Sequence, residues 1–300
     1  MKMLHPNPTR ARDIAAILCL VALAGCGLKT GYAPAEVTVH RGAASETAAA
    51  LAPRDSIRVV SWNIQYGENV VEAIGEIRAN PDLAAADIIL LQEMGPGGVR
   101  HMAEELGMHH VYGAAAVHPH HKKLFGNAVL SRWPIIGDQV LILPHETILT
   151  GHRRIAVAAD IDLGGTTIRA ISIHTATVVM NQDNRIDQAK AVRDTLGGFE
   201  GPVILGGDFN TISEYEGTLL RQVMRRLRLK PVRLPEGPTI ANKYKKVPGS
   251  VPVLDHIFCK GFVPGSRGID RTALASDHYP IWAVLAVPSP EKDMEKKNRQ

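Results

Sequence analysis

The chain has 300 residues, of which 45% are hydrophobic, 21% charged and 5% aromatic, a composition that excludes wholesale disorder, collagen and coiled coil. Its formal net charge of +4 permits a polyanionic partner without requiring one. Three cysteines, Cys19, Cys26 and Cys259, are too few for a disulfide framework.

At the N-terminus, Lys2, Arg10 and Arg12 face a single acid, Asp13, and an apolar run then extends from Ile14 to Gly25. That run is too short to span a bilayer as a helix, and a basic flank before a short apolar stretch is the layout of a secretory signal. It ends in Leu23-Ala24-Gly25-Cys26, which resembles a bacterial lipobox. The resemblance implies that residues 1–25 are removed, that Cys26 carries lipid, and that the protein is exported and held at a bacterial membrane. Gly27 stands after the cysteine where Asp would mark inner-membrane retention, so the same resemblance points to the outer membrane, facing the periplasm or the surface. An ordinary signal peptide, or an apolar start on a protein that is not exported, is the alternative. Residues 26–54 are rich in Ala, Gly, Thr and Pro without helical or strand period, which reads as a flexible tether of at most about 95 Å. Residues 288–300 read as a charged, disordered tail. One body, residues 55–287, lies between.

Within the body, residues 57–63 (IRVVSWN) predict a strand, and Val70, Ile74 and Ile77 recur at helical spacing. Residues 87–94 (DIILLQEM) read as a buried strand, followed by a helix through Val99, Met102, Ala103 and Leu106. Strands are expected at 126–131, 154–162 and 166–174, the last two joined as a hairpin by Leu163-Gly164-Gly165. A helix through Ile186, Ala189, Val192 and Leu196 comes next, then a buried strand at 202–206 and a helix through Leu220, Val223, Met224 and Leu227. Late strands fall near 253–259 and 279–287. The sum is α/β with mixed sheets.

Polar residues collect where the apolar runs stop: Trp62-Asn63, Gln92-Glu93, His174, Gly206-Gly207-Asp208-Phe209-Asn210, Asp255-His256 and Ser276-Asp277-His278. In a layered α/β fold such ends gather on one edge, where ligands bind. Glu93, Asp208, Asp255 and Asp277 would repel one another without a positive partner. Oxygen donors without cysteine favour Mg²⁺, with Mn²⁺ or Ca²⁺ as alternatives. A carboxylate beside a histidine then orients or deprotonates a water, and a protonated histidine steadies phosphoryl charge.

WN, QE, GNAVLSR, a strand ending in His, GGDFN, LDHIF and SDHYP follow in that order over residues 57–287. The sequence thereby resembles the endonuclease/exonuclease/phosphatase superfamily, which includes deoxyribonuclease I, exonuclease III, neutral sphingomyelinases and inositol polyphosphate 5-phosphatases. The resemblance implies a four-layered α/β sandwich with two mixed β-sheets packed face to face. It implies Glu93 as principal metal ligand with Asn63 beside it, and Asp277 joining the metal or orienting the site. Asp208 would deprotonate the water, Asn210 support the phosphate or transition state, and His174 and His278 contact the scissile phosphate. Asp255 would pair with a histidine, His278 being the expected partner, and His256 would be a neighbour without a catalytic task. Asn127 and Arg132 are weaker phosphate-binding candidates, Arg132 having a structural ion pair as its alternative. Exonuclease III-like enzymes carry tyrosine where His174 stands, which turns the resemblance towards the deoxyribonuclease I and sphingomyelinase branches.

The first hypothesis is therefore a divalent-metal-dependent phosphodiesterase that hydrolyses phosphoester bonds by attack of water, with nuclease action slightly favoured over cleavage of a phospholipid or sphingomyelin headgroup and an inositol phosphate behind both. A basic segment bears on it: Arg221, Arg225, Arg226, Arg228, Lys230, Arg233, Lys243, Lys245 and Lys246 are opposed only by Glu236. Arg221, Arg225 and Arg228 would share a helix face, either as a phosphate-tracking surface or as an ordinary solvated one. His109, His110, His118, His120 and His121 read as a polar surface loop, with a substrate-contacting loop or accessory metal site as the alternative. Cys259 reads as a small buried hydrophobe. No obligate protein partner is implied. A second hypothesis is a lipoprotein that binds a phosphate-bearing ligand without turning it over.

Overall fold

The computed structural model describes residues 37–44, 54–117, 122–146, 152–177, 180–241 and 253–287. The expected signal, Cys26, most of the tether, the tail, His118, His120, His121, Lys243, Lys245 and Lys246 lie outside them. No helix of the described residues is long and apolar enough to cross a membrane.

The strands are β1 (Val39–Gly42), β2 (Ser56–Asn63), β3 (Ile88–Met94), β4 (His109–Val117), β5 (Leu124–Ser131), β6 (Ile135–Ile142), β7 (Ile155–Asp162), β8 (Thr167–His174), β9 (Val203–Asp208), β10 (Lys230–Pro231), β11 (Asp255–Lys260), β12 (Val263–Ile269) and β13 (Ile281–Ala286). The helices are α1 (Val70–Ala79), α2 (Pro81–Ala84), α3 (Pro96–Leu106), α4 (Gln182–Ala191), α5 (Arg193–Leu196) and α6 (Glu214–Arg226). Among the described residues the strands form two mixed sheets, ordered β1-β4-β5-β3-β2-β13-β12 and β10-β11-β9-β8-β7-β6.

Strand alternation builds the layers. Ile57 and Val59 on β2 and Leu90 on β3 meet Val157, Ile204 and Ile257 of the other sheet in one buried cluster. The next residues along, Val60, Trp62, Ile89 and Leu91, pack instead on Ile74, Ile77, Leu83, Val99 and Met102 of α1 to α3. On the far side, Ala158, Ile171, Leu205 and Phe258 pack on Ile186, Leu220 and Met224 of α4 and α6. Both faces of both sheets are thus covered, giving the helix–sheet–sheet–helix sandwich. Cys259 is buried in the central cluster, and burial pushes its thiol up to about 11, so it acts as a hydrophobe.

Register brings the polar strand ends together. β2 and β3 run parallel with Asn63 opposite Gln92, and β8 and β9 run parallel with His174 opposite Asp208. Asp255 starts β11 directly across from Asp208. β13 begins at Ile281 opposite Ser61, which leaves Asp277 and His278 just beyond the Asn63 end. Gly207 sits inside this arrangement at φ +151°, and a Cβ there would stand 1.9 Å from the Ile173 carbonyl oxygen. The close approach of β8 to β9, and with it the His174–Asp208 pairing, therefore requires glycine.

Several sequence expectations need correction. Residues 39–42, inside the expected tether, form β1 on β4, so that part of the segment belongs to the fold. Residues 109–117 are not a polar loop but strand β4, paired with β5, and His110 is buried. The strands β6, β10 and β12 lie outside the strands expected from sequence. The helix expected to run through Leu196 is interrupted at Val192. The basic helix α6 ends at Arg226, so Arg228, at φ +61°, does not continue its face.

Candidate active site

Asp208 is the centre of the constellation. It ends β9, and its carboxylate is buried. Oδ1 accepts the Asn210 backbone N–H at 2.8 Å, and Oδ2 accepts the Asn63 Nδ2 amide at 3.0 Å. Burial raises its pKa, the nearby His278 opposes the rise, and the Asp255 carboxylate adds to it. Asp208 is therefore a stronger base than an exposed aspartate.

Two imidazoles flank it in different states. His278 places Nε2 3.6 Å from Asp208 Oδ2, while its Nδ1 donates to Asp255 at 2.9 Å and 3.2 Å to the two oxygens. Burial alone would lower its pKa, but Asp255 and Asp208 outweigh that and hold it well above the usual histidine range, which favours the imidazolium. His174 places Nε2 3.4 Å from Asp208 Oδ2 and 3.9 Å from Glu93 Oε1. Its Nδ1 lies 3.0 Å from the Arg154 guanidinium, which can only donate, so the ring proton belongs on Nε2. Burial, then Arg154 and His278, hold it well below its usual pKa. His174 Nε2 is buried and without a hydrogen-bond partner among the described residues, a donor aimed into the site.

Glu93 occupies an irregularity in β3, where the register with β5 shifts between Leu91 and Met94, and it takes φ 61°. A bulge re-aims a side chain in this way. One carboxylate oxygen accepts the Tyr66 backbone N–H at 3.2 Å. Burial raises its pKa, Arg154 and His278 oppose this, and Asp277 adds to the rise, so four charged groups meet here.

Two donor sets bear on a metal. Ligand atoms of Asp208, Asp255 and His278 lie within 4.8 Å of one another, a spacing compatible with an ion. In that set both Asp255 oxygens already face His278 Nδ1. The hard-oxygen set fits better. Asn63 Oδ1 is buried without a partner among the described residues and lies next to the Glu93 carboxylate, which in turn feels the charge of Asp277. Carboxylate and amide oxygens of this kind suit Mg²⁺ or a similar hard cation.

The expected residues do not all converge. Asn63, Glu93, His174, Asp208, Asn210, Asp255, Asp277 and His278 gather at one end of the sandwich, and Asp255 pairs with His278. Asn210, at φ 50°, donates its amide to the Thr175 carbonyl at 3.2 Å, tying the β9 end to the β8 end. Asn127 is committed elsewhere: its amide donates to the Ile155 carbonyl at 2.9 Å, joining the two sheets. Arg132 is a correction. Ser131 pairs with Ile88, at the opposite end of β3 from Glu93, and Arg132 donates to the carbonyls of Ala86 and Ala84. It is therefore a structural residue away from the phosphate region. Arg221 and Arg225 are exposed on α6, outside the constellation. His256 turns away from the site, its Nε2 2.8 Å from the Thr211 hydroxyl.

Residues not singled out for the site complete it. Trp62 Nε1 donates to the His278 carbonyl at 2.8 Å. The Ser276 hydroxyl donates to the Asn63 carbonyl at 2.6 Å and accepts the His278 N–H at 3.1 Å, locking the SDH segment onto β2. Thr239 Oγ1 accepts the N–H groups of Leu254 and Asp255. The largest omission is Arg154, whose guanidinium contacts His174 and lies 5.4 Å over the Phe125 ring. A partial signal for it existed: counting back from the Asp162–Thr167 pair sets Ile155 opposite His174 and leaves Arg154 one residue further on.

Two face-to-face mixed sheets with clustered acids, imidazoles and amides at one end define a sandwich of the phosphoesterase type. The family model for the endonuclease/exonuclease/phosphatase family matches residues 60–278, and the chain belongs to that family. An endonuclease/exonuclease/phosphatase family protein of Bacteroides thetaiotaomicron superposes with a TM-score of 0.61 at 18% identity, covering 80% of this chain and 100% of that one. A mannosyl-6-phosphatase of the same organism gives 0.58 at 19%, covering 77% and 99%. D. rerio TDP2 complexed with a single-strand DNA product gives 0.59 at 16%, covering 78% and 100%. In sequence, a UPF0294 protein of Vibrio parahaemolyticus is 27% identical over 117 residues, a match that spans 39% of either chain. Members of the family are divalent-metal-dependent phosphoesterases.

Proposed function

We propose that this chain is a divalent-metal-dependent phosphodiesterase that hydrolyses a phosphoester bond by attack of water, exported and lipid-anchored through Cys26, with nucleic acid favoured over a phospholipid or sphingomyelin headgroup. The observation that carries the reading is Asp208, a buried carboxylate pinned by Asn63 and Asn210 and flanked by the imidazoles of His174 and His278. The fold neighbour bound to a DNA product supports the nucleic-acid preference, and the phosphatase neighbour keeps a monoester in view.

Asp208 takes the proton of the attacking water, its position fixed by two hydrogen bonds. The imidazolium of His278 and the Nε2–H of His174 donate to the non-bridging phosphoryl oxygens, and their charge and direction are set before substrate arrives. Asp255 keeps His278 charged and oriented. Asn63, Glu93 and Asp277 would hold Mg²⁺, which supplies charge neutralisation at the phosphoryl group when bound.

Turnover of bis-p-nitrophenyl phosphate, DNA, RNA and sphingomyelin, with Mg²⁺ and with a chelator, tests this. Metal-dependent release of product from at least one diester is expected; no turnover of any of them would leave a non-catalytic phosphate-binding protein. Metal binding has its own check. Mg²⁺ at ten times its Kd should stabilise the fold by about 1.4 kcal/mol, a Tm rise of roughly 3–6 °C for a body of this size. Glu93→Ala should abolish the rise, and an equal rise in that variant would move the metal elsewhere.

A further inference from the structure

A hollow of about 570 Å³ lies between α6 and residues 231–236, apart from the Asp208 constellation. Arg221 and Arg225 of α6 and Arg233 of the facing segment line it, with Thr211 and His256. Among the described residues none of these arginines has a carboxylate within ion-pair distance; Arg221 donates only to the Thr218 hydroxyl at 2.8 Å. Three guanidiniums against two carboxylates, Glu214 and Glu236, leave this concavity net positive, and the planar guanidinium fork matches phosphate geometry. Burial, with Arg221 adding to it and Asp255 opposing, lowers His256 to about 4, so this part of the lining stays neutral and polar.

The walls are firm. Ser213 Oγ accepts the Glu216 N–H at the start of α6, and the buried Glu216 carboxylate is bound by Arg185 at 2.5 Å. Thr211 and His256 each adjoin a site residue in sequence, Asn210 and Asp255. Thr211 lies three steps along the chain from Asp208, a span of at most about 11 Å. One nucleic-acid strand carries a charge about every 3.4 Å of helix axis, so a chain with one diester at Asp208 has further phosphates within that reach.

We propose that this arginine-lined hollow is a second phosphate site, which grips the backbone of a nucleic-acid strand whose neighbouring diester lies at Asp208. The inference rests on the phosphodiesterase reading for its register but not for its binding. The concave shape of the hollow suits a flexible strand better than a flat anionic membrane.

The test is fluorescence anisotropy of a labelled single-stranded phosphorothioate 12-mer in chelator, where binding is read without turnover, over a salt series. Arg225→Ala/Arg233→Ala should weaken binding about tenfold and flatten the log–log salt slope by about 1.4, two phosphate contacts at the single-strand value. In Mg²⁺, the ratio of kcat/KM for DNA to that for bis-p-nitrophenyl phosphate should fall about tenfold. Unchanged affinity and slope would overturn the proposal, as would equal losses on both substrates. Weakened binding to phosphatidylglycerol vesicles with intact binding to the 12-mer would overturn it in favour of a membrane contact. If wild type turns over neither substrate yet binds the 12-mer through these arginines, the catalytic reading fails and the second site stands.

Discussion

Asp208→Asn is expected to lower kcat for bis-p-nitrophenyl phosphate by about 10²–10⁴-fold at saturating Mg²⁺, the range a positioned general base supplies. The substitution keeps the side-chain volume, so the hydrophobic layers around β9 stay filled. It removes the only carboxylate in the site that both flanking imidazoles approach, at 3.4 Å and 3.6 Å. Asp255 cannot replace it, because both its oxygens face His278 Nδ1. Glu93 cannot replace it either, since its re-aimed backbone directs it towards Asn63 and Asp277. The Mg²⁺-dependent rise in Tm should persist, because the oxygen donors assigned to the metal are untouched. That separates loss of the base from loss of the site. A variant with more than a tenth of wild-type kcat would show that the water is activated by another group.

The strand ends were legible because they couple two periodic signals: an apolar run, then a short polar cluster. Asn63, Glu93, His174, Asp208, Asp255 and His278 all sit at such junctions, and the structure draws them to one edge. Arg132 misled because GNAVLSR names a strand without saying which end faces the site. Asn127 lies near the site end and Arg132 five residues on, roughly 17 Å along an extended chain. The strands missed in sequence share a physical cause. β1, β6 and β12 are sheet edges, or carry glycine, proline and charge that an interior strand rejects. β4 lies next to an edge and opens with two histidines, which disguise an apolar run reaching Val117. Gly207 could be seen as part of a motif, yet its reason, the Ile173 carbonyl, belongs to another strand and is invisible in one dimension.

Arg154 is the second residue whose loss should be large, and it acts through another group. Its guanidinium fixes the tautomer of His174, sits against Phe125, and places a positive charge near Glu93 and Asp208. Arg154→Met keeps the length and apolar stem while removing charge and donors. With the donor to Nδ1 gone, the His174 ring loses the contact that fixes both its tautomer and its position, and a misplacement of about 1 Å at a reacting centre costs about 100-fold in kcat. Arg154 is also one of the groups that hold His174 below its usual pKa, so its removal should move that pKa upward, with burial still opposing. Nitrogen NMR of the His174 ring distinguishes this from a structural defect. The wild-type ring should show a protonated Nε2 and a bare Nδ1, and the variant a tautomer mixture. Arg154→Lys should restore part of the rate and the single tautomer, since an ammonium also donates to Nδ1. If the Met variant lost activity with the tautomer unchanged, Arg154 would be contacting the phosphoryl group directly. If it lost none, the neutral imidazole would be held by burial alone.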